Sequence, residues 1–243
     1  MIAALCLSLS GGCSYFRTTT ISRPEDGLTI VLPGIEGASF VNSNIAQGLV
    51  DGQVPGQVEV FDWTSGNALR SLEHLSDARR VSEQATRLAD HIEESHEVFP
   101  DRPISVVAHS GGAGVALAAL EKLPEHREIS ALVLLAPAVS PNYPIQRATS
   151  KTTSGVWSFY SPLDAQLTVG TSLFGTIDGE YGPAAGSSGF NTKPEGLTEV
   201  PFEPGMMRTG NLGGHLGGTH FEFVREHVAP IIRRSHYFPL SAD

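Results

Sequence analysis

The sequence predicts a three-layer α/β fold: a mostly parallel sheet with helices on both faces and no large lid domain. Three observations carry this. Short apolar runs at Leu28–Leu32, Ile104–Ala108, Ala131–Leu135 and Val156–Tyr160 lack the strict alternation of a half-solvated strand, so they read as strands buried on both faces. Strands near 28, 58, 104, 131, 156 and about 200 alternate with helical stretches, the pattern of crossover-linked parallel strands. The chain has 243 residues, 40% hydrophobic and 17% charged, which suits one globular domain with a large core.

The elements follow in order. Ile2 to Leu9 is an apolar run too short to span a membrane, and small residues Ser10-Gly11-Gly12 then precede Cys13. Residues 1–13 resemble a bacterial lipoprotein signal with Cys13 as the acylated residue; a plain secretory signal and a buried N-terminal strand are the alternatives. The resemblance implies export to the cell envelope and a lipid tether at Cys13 as the sole link to a membrane. Residues 14–26 are polar and read as a tether with an edge strand at Thr18–Ile21, and 27–243 as a single domain. Cys6 and Cys13 are the only cysteines, so the body has no disulfide, cysteine metal site or cysteine nucleophile. The net charge of -10 argues against a nucleic-acid partner, because phosphate contacts need Lys and Arg.

After Leu28–Leu32 comes the loop Pro33-Gly34-Ile35-Glu36-Gly37, then a helix over Phe40–Val50 ending near Asp51-Gly52. Val58, Val60 and Trp63 belong to the next strand, and Leu69–Leu75 reads as an irregular turn of helix. Ser76–Glu97 is amphipathic, with Ala78, Val81, Ala85, Leu88 and Ile92 on one stripe. His91 and His96 on it read as solvated.

Ile104 to Ala108 runs directly into His109-Ser110-Gly111-Gly112, and Ala113 to Leu123 is an apolar helix stopped by Pro124. A strand, a sharp turn carrying a central serine between small residues, and a helix resemble the nucleophile elbow of the α/β-hydrolases, with Ala108 where that motif usually has Gly. The resemblance implies Ser110 as nucleophile. It makes Pro33–Gly37 the oxyanion loop, with the Ile35 amide as donor, Glu36 as the next choice, and the Gly111 amide as the second donor.

Ala136-Pro137-Ala138 ends the Ala131 strand where this family usually inserts a lid, but only Val139–Ser154 intervenes before the next strand. Gly175–Pro194, rich in Gly and Ser, is the other stretch able to cover a site; it reads as a surface loop. Asp164, just past the Val156–Tyr160 strand, stands where the family keeps its triad acid. Asp is also favoured as an N-cap, and Ala165–Phe174 reads as a helix; Asp178 is the second choice for the acid. Glu199–Arg208 is a weaker strand.

The glycine-rich stretch Gly210–Gly218 carries His215, the choice for catalytic base, with His220 as its competitor. Thr219 and Glu222 read as a capping box, which commits His220 to the start of the Phe221–Ala229 helix. His109 adjoins the pocket; His74, His126, His227 and His236 read as surface residues. The order Ser110, Asp164, His215 is the family's order. The expected activity is ester hydrolysis through this triad and an acyl-enzyme, on a small-molecule or lipid ester, with no cofactor or metal. A thioesterase or peptidase with the same triad is the enzymatic alternative, and a tethered non-catalytic binding protein of the same fold is the other.

Overall fold

The computed structural model describes residues 16–37, 39–65 and 77–237. The lipoprotein-like segment with Cys6 and Cys13, the Leu69–Leu75 turn and His74 lie outside these residues.

Seven strands form one sheet: β1 (Phe16–Thr20), β2 (Leu28–Leu32), β3 (Gln57–Phe61), β4 (Ile104–His109), β5 (Ala131–Leu135), β6 (Val156–Tyr160) and β7 (Leu197–Pro201). Their order is β1-β3-β2-β4-β5-β6-β7. All neighbours pair in parallel except β1, which runs antiparallel to β3. The mostly parallel sheet predicted from the apolar runs is therefore observed. β2 and β4, whose ends carry the turns that matter below, lie side by side at its centre, with Leu32 opposite Ala108.

Successive strand residues feed opposite faces, as the two-residue period requires. Ile30, Val106 and Leu132 pack with Leu88 and Ile92 of α2 (Ala78–Val98) and Ala116 and Leu120 of α3 (Gly112–Lys122). Val31, Val107 and Val133 point the other way, onto Ile45 and Leu49 of α1 (Phe40–Asp51) and Val224, Val228 and Ile232 of the C-terminal helical run. α1 and α2 begin at side-chain caps: Ser39 Oγ accepts from the Val41 amide and the Asp77 carboxylate from the Arg80 amide. Among the described residues no helix is long and apolar enough to cross a membrane.

Four expectations are corrected. The strand expected over Glu199–Arg208 is pairing only at Leu197–Pro201; Pro201 and Pro204 supply no amide to a ladder, and Pro204–Thr209 turns as a 3-10 helix. Gly175–Pro194 is not a bare surface loop, because Ile177, Ala185 and Phe190 are buried in the core, with a helical turn at Ala185–Ser188. His91 and His96 are half-buried and not freely solvated. His91 Nε2 lies 2.9 Å from Glu59 Oε2, and burial, reinforced by Arg127, pushes the His96 pKa down.

His236 is the fourth. It lies on the last turn of the C-terminal helix, over Gly27 at the start of β2, with Nε2 3.0 Å from Ser105 Oγ. Burial pushes its pKa from 6.5 to about 4. The sign follows: between these values the unfolded chain takes up a proton that the folded one refuses. Stability present above pH 6.5 is therefore lost as pH falls towards about 4. We expect up to about 3 kcal/mol of acid destabilisation from this residue. His236→Gln should recover part of it, read as a smaller gap between urea midpoints at pH 7 and pH 5.

Candidate active site

The sheet delivers three loops to one place. At the end of β4 the chain reverses sharply at Ser110, whose φ of 51° is in the left-handed region, disfavoured for any residue with a Cβ. The surroundings hold it there. The Ser110 amide donates to the Leu135 carbonyl at 3.0 Å, and its carbonyl accepts from the Ala113 and Ala138 amides at 3.1 Å each. Gly112 must be glycine, since a Cβ there would collide with the Pro33 carbonyl oxygen at the end of β2. The small residues of the motif thus answer to close approach of helix, strand and the Pro33–Gly37 loop.

Beyond β6, Asp164 opens α4 (Ala165–Phe174). Its two oxygens do different work: Oδ1 accepts from the Leu167 amide at 2.8 Å, capping the helix, and Oδ2 lies 2.7 Å from His215 Nδ1. One oxygen therefore caps the helix and the other faces the His215 ring. His215 Nε2 in turn lies 3.0 Å from Ser110 Oγ. An ionised carboxylate only accepts, so Nδ1 carries the proton and, in the neutral ring, Nε2 presents its lone pair to the serine hydroxyl. Asp164 and His215 side chains are 1% and 9% exposed, so little water competes for this line of bonds.

The loop carrying His215 is shaped by its glycines. Gly210 and Gly213 have φ of 83° and 81°, and Asn211 Oδ1 accepts from the Gly213 amide at 2.9 Å. The runners-up are engaged elsewhere. His220 stacks on Phe221 with ring centroids 4.9 Å apart and lies over Gly210. Asp178 accepts from the Ser140 amide at 2.8 Å. One expectation fails in detail: no capping box forms at Thr219 and Glu222. The Thr219 hydroxyl donates to the Leu216 carbonyl at 2.8 Å, closing a 3-10 turn, and His220 itself is the N-cap.

The Pro33–Gly37 loop meets the turn at Ser110. A Cβ on Gly111 would stand 3.0 Å from Ile35 Cγ2, so Ile35 and Gly111 are packed together beside Ser110. The Trp63 indole donates to the Pro33 carbonyl at 2.7 Å and fixes the start of the loop. Among the described residues neither the Ile35 nor the Gly111 amide donates to a protein acceptor. Sequence reading missed two side chains. Glu36 folds back to accept from the Gly34 amide at 3.2 Å, and His109 Nε2 lies 3.3 Å from the His215 carbonyl oxygen. Adjacency to Ser110 was the only signal for His109, and nothing local marked the Glu36 side chain as turned inward. Among the described residues no group of three His, Cys, Asp or Glu side chains could hold a metal ion.

Comparison with known proteins follows from this geometry. The family model described as serine aminopeptidase, S33, matches residues 69–172, a stretch holding Ser110 and Asp164 but not His215. Among solved structures, TT1662 from Thermus thermophilus superposes with a TM-score of 0.56 at 14% identity, over 92% of this chain and 99% of that one. The esterase domain of a Rhodothermus marinus protein gives 0.50 at 14% identity, over 90% and 99%. YbtT, a type II thioesterase of the yersiniabactin biosynthetic pathway, gives 0.50 at 15% identity, over 89% and 96%. A comparison with curated proteins finds no match. At such identities the likeness is one of architecture, and the architecture is the α/β-hydrolase fold.

Proposed function

We propose that this chain, an α/β-hydrolase by fold, is a serine hydrolase that cleaves carboxylic esters. The supporting observation is the continuous line of bonds from Asp164 through His215 to Ser110 at a strained strand-to-helix turn. In the proposed reaction His215 Nε2 takes the hydroxyl proton as Ser110 Oγ attacks the acyl carbon. The carbonyl oxygen becomes an oxyanion held by the Ile35 and Gly111 amides. His215 returns the proton to the leaving alcohol, and the acyl-enzyme is released by water, with His215 again as base. Asp164 Oδ2 keeps the imidazole in the productive tautomer and stabilises its charged form.

The acyl group is read from the rim. Leu163, Leu212 and Leu216, beside the acid and the base, are large exposed apolar side chains, which favours an apolar acyl partner. Ser110 itself is only 5% exposed, which favours a small acyl group over a long chain. On a series of chromogenic esters we expect kcat/KM to fall as the acyl chain lengthens, and a fluorophosphonate to leave a covalent adduct on Ser110. A purified protein that takes up no fluorophosphonate would leave the non-catalytic binding reading. A thioester substrate is the second reading, favoured by the fold likeness to a type II thioesterase; matched ester and thioester pairs separate the two.

The exported, tethered location is proposed from the apolar run before Cys13 alone. Mass spectrometry of the native N-terminus should find an acylated Cys13, and an unprocessed Met1 would overturn it.

A further inference from the structure

Among the described residues the large apolar side chains left exposed are unevenly placed. Val98 and Tyr237 lie towards the end of the sheet where the parallel strands begin, Tyr237 next to the His236 that covers Gly27. The others follow strand ends, around the loops that carry Ser110, Asp164 and His215. α4 is the largest part of this group. It starts just past β6, and Ile177, beyond its last turn, packs on Gly111 and Gly114 past the end of β4. Both ends of α4 are therefore held at one end of the sheet, and the helix lies across that end without folding back along a face. It buries only Leu167 and Thr171. Val169 and Leu173, one turn apart, are 57% and 65% exposed, and Phe174 is 47% exposed. A surface helix ordinarily turns its apolar stripe to the core; this one leaves a stripe in water. The patch continues into the mouth of the site. Leu163 Cδ1 stands 3.0 Å from where a Gly213 Cβ would be, which joins α4 to the His215 loop and its exposed Leu212 and Leu216.

Charge is missing from these stretches. From Ser161 to Ile177 the one charged residue is Asp164, whose side chain is 1% exposed, and Gly210 to Thr219 holds no Lys, Arg, Asp or Glu. The chain as a whole carries a net charge of -10. The N-terminal strand adds an independent observation. β1 runs antiparallel to β3, and Phe16 pairs with Phe61 at the end of β3. The chain before Phe16 therefore meets the sheet at the same end as the patch. Cys13 is three positions before Phe16, a reach of about 10 Å when fully extended. An acyl group on Cys13, as proposed above, would hold this end of the sheet against a bilayer. We infer that this end is a docking surface for a bilayer of zwitterionic lipid, with Val169, Leu173 and Phe174 seated among the headgroups and the mouth of the site turned towards the lipid. An uncharged apolar face gains by leaving water and gains nothing from anionic headgroups, which the acidic chain repels. The contact is additional to any lipid tether, and it stands or falls whether or not the protein cleaves esters.

The test asks which end of the molecule meets lipid. Leu173→Cys and Val98→Cys are each made in the full chain with Cys6→Ser and Cys13→Ser, which removes the only other cysteines and any acyl group. Each carries an environment-sensitive fluorophore and is mixed with phosphatidylcholine vesicles. Both positions are exposed, so the fold should tolerate the label, and a thermal melt checks it. The label at 173 should shift to the blue and be quenched by spin-labelled lipid; the label at 98 should do neither. The shift should persist in high salt and should not grow when phosphatidylglycerol is added, as expected of apolar insertion without charge attraction. Val169→Gln with Phe174→Gln, added to the Leu173→Cys protein, should raise the lipid concentration for half the shift about tenfold or more, because two large apolar side chains no longer gain from burial. A shift at 98, no shift at 173, or an unchanged lipid requirement in the Gln variants would overturn the proposal. So would a shift that needs anionic lipid and is lost in salt. A shift at 173 that follows protein concentration without vesicles would also overturn it and assign the face to a second copy of the chain.

Discussion

Ser110→Ala should lower ester turnover by roughly 10⁴- to 10⁶-fold and abolish the fluorophosphonate adduct, the loss expected when one member of a cooperating triad is deleted. Among the described residues the hydroxyl is the one hydrogen-bonding oxygen at His215 Nε2, at 3.0 Å, so no described group replaces it as a nucleophile activated by that base. The fold should survive. Ser110 is held at φ 51° by backbone bonds to Leu135, Ala113 and Ala138, and an alanine keeps every one of them. Its Cβ carries the same left-handed strain as serine's, so the melting temperature should stay close to wild type. Turnover and thermal melts on one preparation check both halves. Near-wild-type turnover in the variant would mean that the bonded line of side chains is not the catalytic one.

The second large effect separates the histidines. His215→Ala should lose activity by about the same factor as Ser110→Ala, because triad members act as a unit. His220→Ala should stay within about tenfold of wild type, the scale of a small disturbance to a neighbouring loop. The reason is geometric. His215 Nδ1 and Nε2 reach Asp164 and Ser110 at 2.7 and 3.0 Å, whereas His220 stacks on Phe221 and covers Gly210. Removing the His220 ring opens a gap under the turn, so its cost should appear in the melting temperature more than in kcat. Both variants on one activated ester, each with a thermal melt, make the comparison. A dead His220→Ala beside an active His215→Ala would reverse the assignment of the base.

Much of this arrangement was legible from local chemistry. The strands announce themselves because parallel strands are buried on both faces and leave short runs such as Ala131–Leu135 with no polar residue. The turn at Ser110 announces itself because close approach allows only small residues around it. Asp164 was readable as acid or as helix cap, with the acid preferred; in the fold one oxygen caps the helix at the Leu167 amide and the other meets His215 Nδ1, so the two readings do not exclude each other.

The errors share a different cause. Thr219 and Glu222 have the spacing of a capping box, but the spacing does not say whether the threonine hydroxyl meets an amide in front or a carbonyl behind. The 3-10 turn at Gly217–Thr219 gives it the Leu216 carbonyl. His236 sits on a polar-looking C-terminal turn and is nevertheless half-buried against Ser105, 131 residues away in sequence. Gly175–Pro194 has a loop's composition, yet Ile177 is buried against the start of α3.

The sequence alone determined the sheet, its burial on both faces and the serine turn. Each of these depends on contacts within a few residues or on a periodicity that repeats along the chain. Only the tertiary structure decided which histidine meets the serine and where Asp178 is engaged. Those pairings join β4, β6 and the loop after β7 across the end of the sheet. No periodicity or composition within one segment encodes which partner a side chain will find on another.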